Sequence, residues 1–133
     1  MLDASVALAR CFPDETSPAA DTAWGLLAER TVWAPAIWPL EIANVVLMAE
    51  RSGRLGPGEA GKRLALLSEL PVQVDVAPPD ALWRLVLPVA RAARLSAYDA
   101  AYLELAWRLR AGLATLDRKL AQAARQAGVT VLS

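Results

Sequence analysis

Four acidic residues lie where a carboxylate is expensive: Asp3, Glu41, Asp99 and Asp117. Each sits in or beside an apolar run. These read Met1-Leu-Asp-Ala-Ser-Val, Pro39-Leu-Glu-Ile-Ala-Asn-Val-Val, Ser96-Ala-Tyr-Asp-Ala-Ala-Tyr-Leu and Leu113-Ala-Thr-Leu-Asp. A carboxylate among Leu, Val and Ala must find a partner. The chain has no histidine, and Lys or Arg are sparse around three of the four positions. Converging carboxylates without a base form a hard oxygen site suited to Mg²⁺ or Mn²⁺. Water activated by such an ion and a neighbouring acid is a nucleophile for phosphodiester hydrolysis.

Each acid also has a plainer reading. Asp3 and Asp117 are good N-caps for helices starting near Ser5 and Arg118. A cap uses one oxygen and leaves the other free, so the two roles are compatible. Glu41 is a first-turn acid of a helix opened by Pro39, where the helix dipole favours it. Between Leu40 and Ala49, however, the only polar residues are Glu41 and Asn44. They are three apart and share a face. A helix otherwise apolar all round is expected to be buried, so this stripe should point at a partner or a site. Ser96 and Asp99 have capping-box spacing. Beyond them Asp99, Tyr102 and Ala106 share a face, while Glu104 points elsewhere and reads as a surface or interface residue. It is the joint pattern that favours a site: all four acids fall at helix starts or strand ends.

The elements that must position them alternate. Strands are expected over 1–3, 31–34, 72–76, 113–116 and 129–132. Helices are expected over 5–12, 19–29, 39–53, 59–69, 80–93 (kinked or broken before Pro88), 97–109 and 118–127. Such alternation implies a parallel sheet covered on both faces. The expected fold is therefore an α/β three-layer sandwich with a central, mostly parallel sheet, built as a single domain over 1–133. Sites in such sheets form at the carboxyl ends of the strands. Asp3 and Asp117 each follow a strand and precede a helix, which puts both at one sheet edge.

Composition bounds the rest. With 56% hydrophobic and 21% charged residues in 133, the chain is globular and not a disordered tail. No apolar run approaches the roughly 18–20 residues of a membrane helix, and residues 1–12 lack the basic start of a leader peptide. The single Cys11 excludes an internal disulfide, reads as a small core hydrophobe, and fits a cytoplasmic setting. Formal charge is zero overall but uneven. Residues 84–133 hold eight bases and three acids (8 − 3 = +5), against six and eleven in residues 1–83 (6 − 11 = −5). This suits either an anionic partner or ordinary solvated helix surface. Five Trp residues and the apolar excess suggest a sticky face for a dimer or protein partner.

Taken in order, Asp3-Ala-Ser-Val, Pro39-Leu-Glu-Ile-Ala-Asn, Ser96-Ala-Tyr-Asp-Ala-Ala-Tyr-Leu-Glu-Leu-Ala and Ala114-Thr-Leu-Asp-Arg-Lys-Leu resemble the successive motifs of PIN-domain ribonucleases, most of all the VapC-type toxins of toxin–antitoxin pairs. The resemblance spans nearly the whole chain and implies a PIN-like sandwich and a Mg²⁺- or Mn²⁺-dependent endoribonuclease acting on RNA. It implies Asp3, Asp99 and Asp117 as metal ligands. Glu41 would help bind metal or orient the attacking water, giving Asp3, Glu41, Asp99 and Asp117 as the catalytic set. Ser5 and Thr115 match supporting hydroxyl positions. A homodimer and a VapB-like antitoxin that blocks the site, often with an arginine, are further implications. Two departures stand out. Only two residues precede Asp3, so either the first strand is short or the start is misassigned, and Arg118-Lys119 replaces the further acid that some relatives carry, leaving bases that could meet a substrate phosphate. Other readings fit less well. A haloacid-dehalogenase-like phosphatase would need an acid where Ser5 stands, and a receiver-type regulator would need an acidic pair that is absent. A non-catalytic dimeric module would gain by losing the buried acids. An RNA-processing nuclease outside a toxin–antitoxin pair fits the same residues.

Overall fold

The computed structural model describes residues 1–15 and 17–132. Among the described residues, seven α-helices and four short strands follow one another in the expected alternation: α1 Ala4–Cys11, a 3₁₀ turn Pro13–Glu15, α2 Pro18–Leu27, β1 Val32–Pro35, α3 Trp38–Arg51, α4 Glu59–Ser68, β2 Val72–Asp75, α5 Pro79–Ala93, α6 Ala97–Arg108, β3 Leu113–Ala114, α7 Arg118–Gln126 and β4 Val131–Leu132. β1 pairs with β2 and β3 with β4, both parallel.

Residues 1–3 join the two pairs. Leu2 forms a parallel bridge with Ala114, and its N–H donates to the Trp33 carbonyl at 2.9 Å. The return bond on that side would need an N–H at position 35, which is proline and has none. The ladder runs β2–β1–(1–3)–β3–β4, with the first segment reduced to one bridge for this reason. It is the α/β three-layer sandwich expected from the sequence, with a parallel centre and helices over it.

Side-chain hydroxyls shorten the expected strand at 113–116. The N–H groups of Leu116 and Asp117 donate to Ser5 and Thr115, not to a neighbouring strand. The last strand starts late because Val129 N–H closes the end of α7 on the Ala124 carbonyl at 2.8 Å, next to Gly128 at φ +76, a helix-ending conformation suited to glycine.

One core runs through the molecule. Phe12, Leu2, Leu105, Leu113, Leu120 and Val6 are wholly enclosed within it, each worth roughly 1.5–3 kcal/mol of burial. α1, built of small apolar residues, is buried on nearly every side and stops at Pro13. α3 departs from the all-round burial its sequence suggests. It buries Ile42, Val46 and Ala49, while Leu40 and Met48 are 66% and 54% exposed. α5 runs unbroken through Pro88, which lies on the exposed side. There the carbonyl left without a helix donor can be hydrated.

Candidate active site

Asp3 leaves the short first segment and enters α1 with extended backbone, as an N-cap does, yet its carboxylate makes no cap bond. Instead Oδ2 accepts two hydroxyls, Ser5 Oγ at 2.5 Å and Thr115 Oγ1 at 2.6 Å. Each hydroxyl in turn accepts a backbone N–H from the strand exit: Leu116 on Ser5 at 2.9 Å and Asp117 on Thr115 at 3.0 Å. Asp3 is nearly fully buried. Burial pushes its carboxyl pKa up, against the hydroxyls of Ser5 and Thr115 and the N–H groups of Ala4 and Ser5, which pull it down.

Glu41, half-buried in the first turn of α3, accepts a hydrogen bond on Oε2 from the phenol of Tyr102. Its pKa is raised, first by burial and further by the charges of Asp3 and Asp99, while the Tyr102 bond works the other way. The Tyr102 hydroxyl is pushed far above its ordinary pKa by burial, by Glu41 and by Asp3, and stays a donor. Asp3, Glu41, Asp99 and Tyr102 therefore share one electrostatic neighbourhood. Tyr102 is a partner of these acids whose part the sequence did not state. Its signal was present, in a phenol three residues beyond Asp99 on an otherwise apolar helix face.

Asp99 opens α6 beside Ser96. The expected box closes half-way: Asp99 N–H donates to Ser96 Oγ at 3.0 Å, and Ser96 Oγ donates to Asp99 Oδ2 at 2.8 Å. Asp117 is the exposed member. It caps α7 through Oδ1, which accepts Leu120 N–H at 2.7 Å. It reaches the others through a relay, from its own N–H to Thr115 and from Thr115 to Asp3.

Five ion pairs join charged side chains among the described residues. Arg54 pairs with Asp14 and Glu15, Arg84 with Asp80, and Arg108 with Asp75 and Glu104. None involves Asp3, Glu41, Asp99 or Asp117. Glu104 corrects its sequence reading. It is a buried carboxylate held by Arg108, which also reaches Asp75 at the end of β2, so it lies under the surface and not on it.

The donor set is all carboxylate oxygen, mutually repulsive and without a cation, which is the chemistry a small hard divalent ion satisfies. Among the described residues, no three His, Cys, Asp or Glu side chains stand close enough to hold one ion as placed. Mg²⁺ does not require three direct ligands, because it usually keeps several waters and binds through one or two carboxylates. The donors are thus of the chemical type such an ion takes, although among the described residues they do not, as placed, converge three to a point. A cavity of about 700 Å³ lies elsewhere, by Arg110, Gly112 and Thr130 before β3 and β4. The acids occupy the opposite, carboxyl edge of the sheet, which is where parallel sheets place their chemistry.

Residues 1–126 match the family model of the PIN domain. Among solved structures, that of PAE2754 from Pyrobaculum aerophilum is similar, with a TM-score of 0.70 and 25% identity, covering 98% of this chain and 87% of that one. No curated protein matches the chain significantly.

Proposed function

Because the chain belongs to the PIN-domain family, whose members are typically metal-dependent nucleases, we propose that it is a Mg²⁺- or Mn²⁺-dependent endoribonuclease and a VapC-type toxin restrained by a VapB-like antitoxin. The observation that carries the reading is the set of acids left without Lys or Arg, beside ion pairs that satisfy other acids of the same chain. Asp3, Asp99 and Asp117 would hold the metal through their free oxygens. When bound, the ion would neutralise the scissile phosphate and favour an ionised water. Glu41 would orient that water and take its proton, with Tyr102 holding the carboxylate in place. Arg118 and Lys119, exposed next to Asp117, would meet a substrate phosphate.

An apolar groove of about 350 Å³ adjoins the acids in sequence. Ile37 and Leu40 precede Glu41, Tyr98 precedes Asp99, and Leu82 and Trp83 of α5 also line the groove. It suits a partner that fills it with apolar side chains and offers a cation to the carboxylates, as an antitoxin segment would. The outward Leu47 and Met48 of α3 add apolar surface for a homodimer. No helix is long and apolar enough to cross a membrane among the described residues, and the free Cys11 accords with a cytoplasmic enzyme.

Asp99→Asn tests the reading. Asp99 is partly exposed, so the fold should survive. Metal-dependent RNA cleavage should fall by about 100-fold or more, since losing even a hydrogen-bonding partner of a metal ligand costs about 10–100-fold. Growth arrest on induced expression should vanish with it. Near-native cleavage by the variant would reject the site. Cleavage without arrest by the native chain would assign it to RNA processing instead.

A further inference from the structure

Resting on the ribonuclease reading above, we propose that the outward face of α7 is a track for the phosphates of single-stranded RNA, leading from the acids to a nucleotide-binding cavity at the opposite edge of the sheet. α7 is the crossover between the parallel strands β3 and β4. It therefore starts at the carboxyl edge beside Asp117 and ends at the amino edge. Its inward positions are Leu120, Ala121, Ala123 and Ala124. Its exposed positions are Arg118, Lys119, Gln122, Arg125 and Gln126. At 3.6 residues per turn these five fall within about 120° of arc, on a face about 13.5 Å long. The face carries no acid, and among the described residues none of its three cations pairs with a carboxylate. An ordinary solvated face would differ in two ways. It would mix the signs, as Arg84 and Asp80 do four residues apart on α5. It would also keep cations out of the first turn, where the helix dipole is positive. Arg125 suits the dipole, but Arg118 and Lys119 oppose it. A strand of phosphates makes use of all three.

The cavity of about 700 Å³ begins where α7 ends. It is lined by Ala127, Gly128 and Thr130 after that helix and by Trp107, Arg108 and Arg110 at the end of α6. Trp107 is 64% exposed, an open aromatic surface on which a base can stack. Arg108 is held by Glu104 and Asp75, whereas Arg110 meets no carboxylate among the described residues. Arg110 also stands at φ +50, a conformation that glycine takes at lower cost. An indole and an unmatched guanidinium at one cavity suit an unpaired nucleotide, with the base on the ring and the phosphate on the cation. A duplex keeps its bases stacked on one another and has none to offer the indole, so the occupant is a single strand.

The test is binding of a fluorescently labelled, mixed-sequence oligoribonucleotide to the full chain, read by anisotropy in EDTA over a series of KCl concentrations. For a single strand, log K falls against log[salt] with a slope of about −0.7 per phosphate neutralised. Arg110→Gln, Arg118→Gln, Lys119→Gln and Arg125→Gln should each flatten the slope by about 0.7. Arg84→Gln, whose cation is already paired with Asp80, should leave it unchanged. Trp107→Ala should weaken binding by about tenfold at every salt concentration with the slope kept. All these side chains are exposed, so the fold should survive. Native slopes in the three α7 variants would overturn the track. Native affinity in Trp107→Ala would overturn the cavity site, and loss of self-association by that variant in sedimentation would give Trp107 to an interface between copies instead. Equal binding of a duplex of the same sequence would overturn the assignment to a single strand. Cleavage of the same oligoribonucleotide with MgCl₂ or MnCl₂ tests the ribonuclease reading separately. Cleavage by the native chain beside unchanged slopes in the variants would overturn the track alone, whereas neither binding nor cleavage would remove both.

Discussion

Arg108→Met should destabilise the chain by an amount that can be worked out from the burial of its partners. The Arg108 guanidinium bridges Glu104 at 2.8 Å and Asp75 at 2.7 Å. The Glu104 side chain is 6% exposed and Arg108 34%. Both carboxylates hold the guanidinium well above its ordinary pKa. Deleting one member of a buried ion pair costs about 3–5 kcal/mol, since the other charge is left without compensation. Arg108 is open enough for water to reach part of Glu104 once the guanidinium is gone, which lowers the cost to about 2–3 kcal/mol. With an unfolding entropy of about 2.1 cal/mol/K per residue over the 133 residues, this is a fall in Tm of about 7–11 °C. Circular-dichroism melts and urea titrations would measure it. Replacing both charges, with Glu104→Leu and Arg108→Leu together, should recover most of the loss. Asp75 can turn to solvent, and an apolar pair of similar volume is often as stable as the ionic one. A single variant within about 0.5 kcal/mol of the native chain, the range of ordinary surface changes, would refute the reasoning. So would a double variant as unstable as the single.

Two further outcomes concern the acids. Tyr102→Phe removes the one interaction that lowers the Glu41 pKa, leaving burial, Asp3 and Asp99 to raise it. The acid limb of the pH–cleavage profile should therefore move to higher pH, with activity on the alkaline plateau largely retained; an unmoved limb would show that Glu41 does not set it. Asp3 and Glu41 both have folded-state pKa values above their unfolded ones, so the folded chain binds protons more tightly at these groups. Their contribution to stability is full below the unfolded pKa and is lost as pH rises through the folded one. Metal-free melts should show that loss, and Mg²⁺ added above the transition should restore stability by mass action; melts of single variants Asp3→Asn and Glu41→Gln, which should each flatten part of the pH dependence, identify the groups responsible.

The element order was legible in the sequence because turn and helix-start residues mark it clearly. Pro39 sits in the first turn of α3, Ser96 and Asp117 cap α6 and α7, and Gly128 ends α7. Strand lengths were not legible, because they depend on which N–H groups find another acceptor. Pro35 breaks the ladder beside Leu2, and the hydroxyls of Ser5 and Thr115 take the donors at 116 and 117. Helix faces were only partly legible. An apolar helix such as α3 looks the same in sequence whether its second face meets the core or waits for a partner, so the exposure of Leu40 and Met48 could not be read. Glu104 was misread for the converse reason, since its cation, Arg108, lies four residues on and is itself tied to Asp75, 33 positions before it.

The acids separate according to what their plain readings predict. Asp117 caps its helix as any aspartate would, and Asp99 closes half of an ordinary box. Those two bonds alone do not distinguish a site from a scaffold. Asp3 and Glu41 do. Asp3 stands at a cap position, makes no cap bond, and is buried with two hydroxyls turned onto one oxygen. Glu41 needs no phenol to serve a helix dipole, yet a fully buried tyrosine from another helix donates to it. An asparagine or glutamine at either position could keep those hydrogen bonds without bringing a charge into an apolar surround. Keeping the charge is destabilising unless something outside the chain uses it. The arrangement at residues 3 and 41 therefore argues for a cationic ligand more strongly than the number of acids does, and it places the demand for that ligand on the open oxygens of these two side chains.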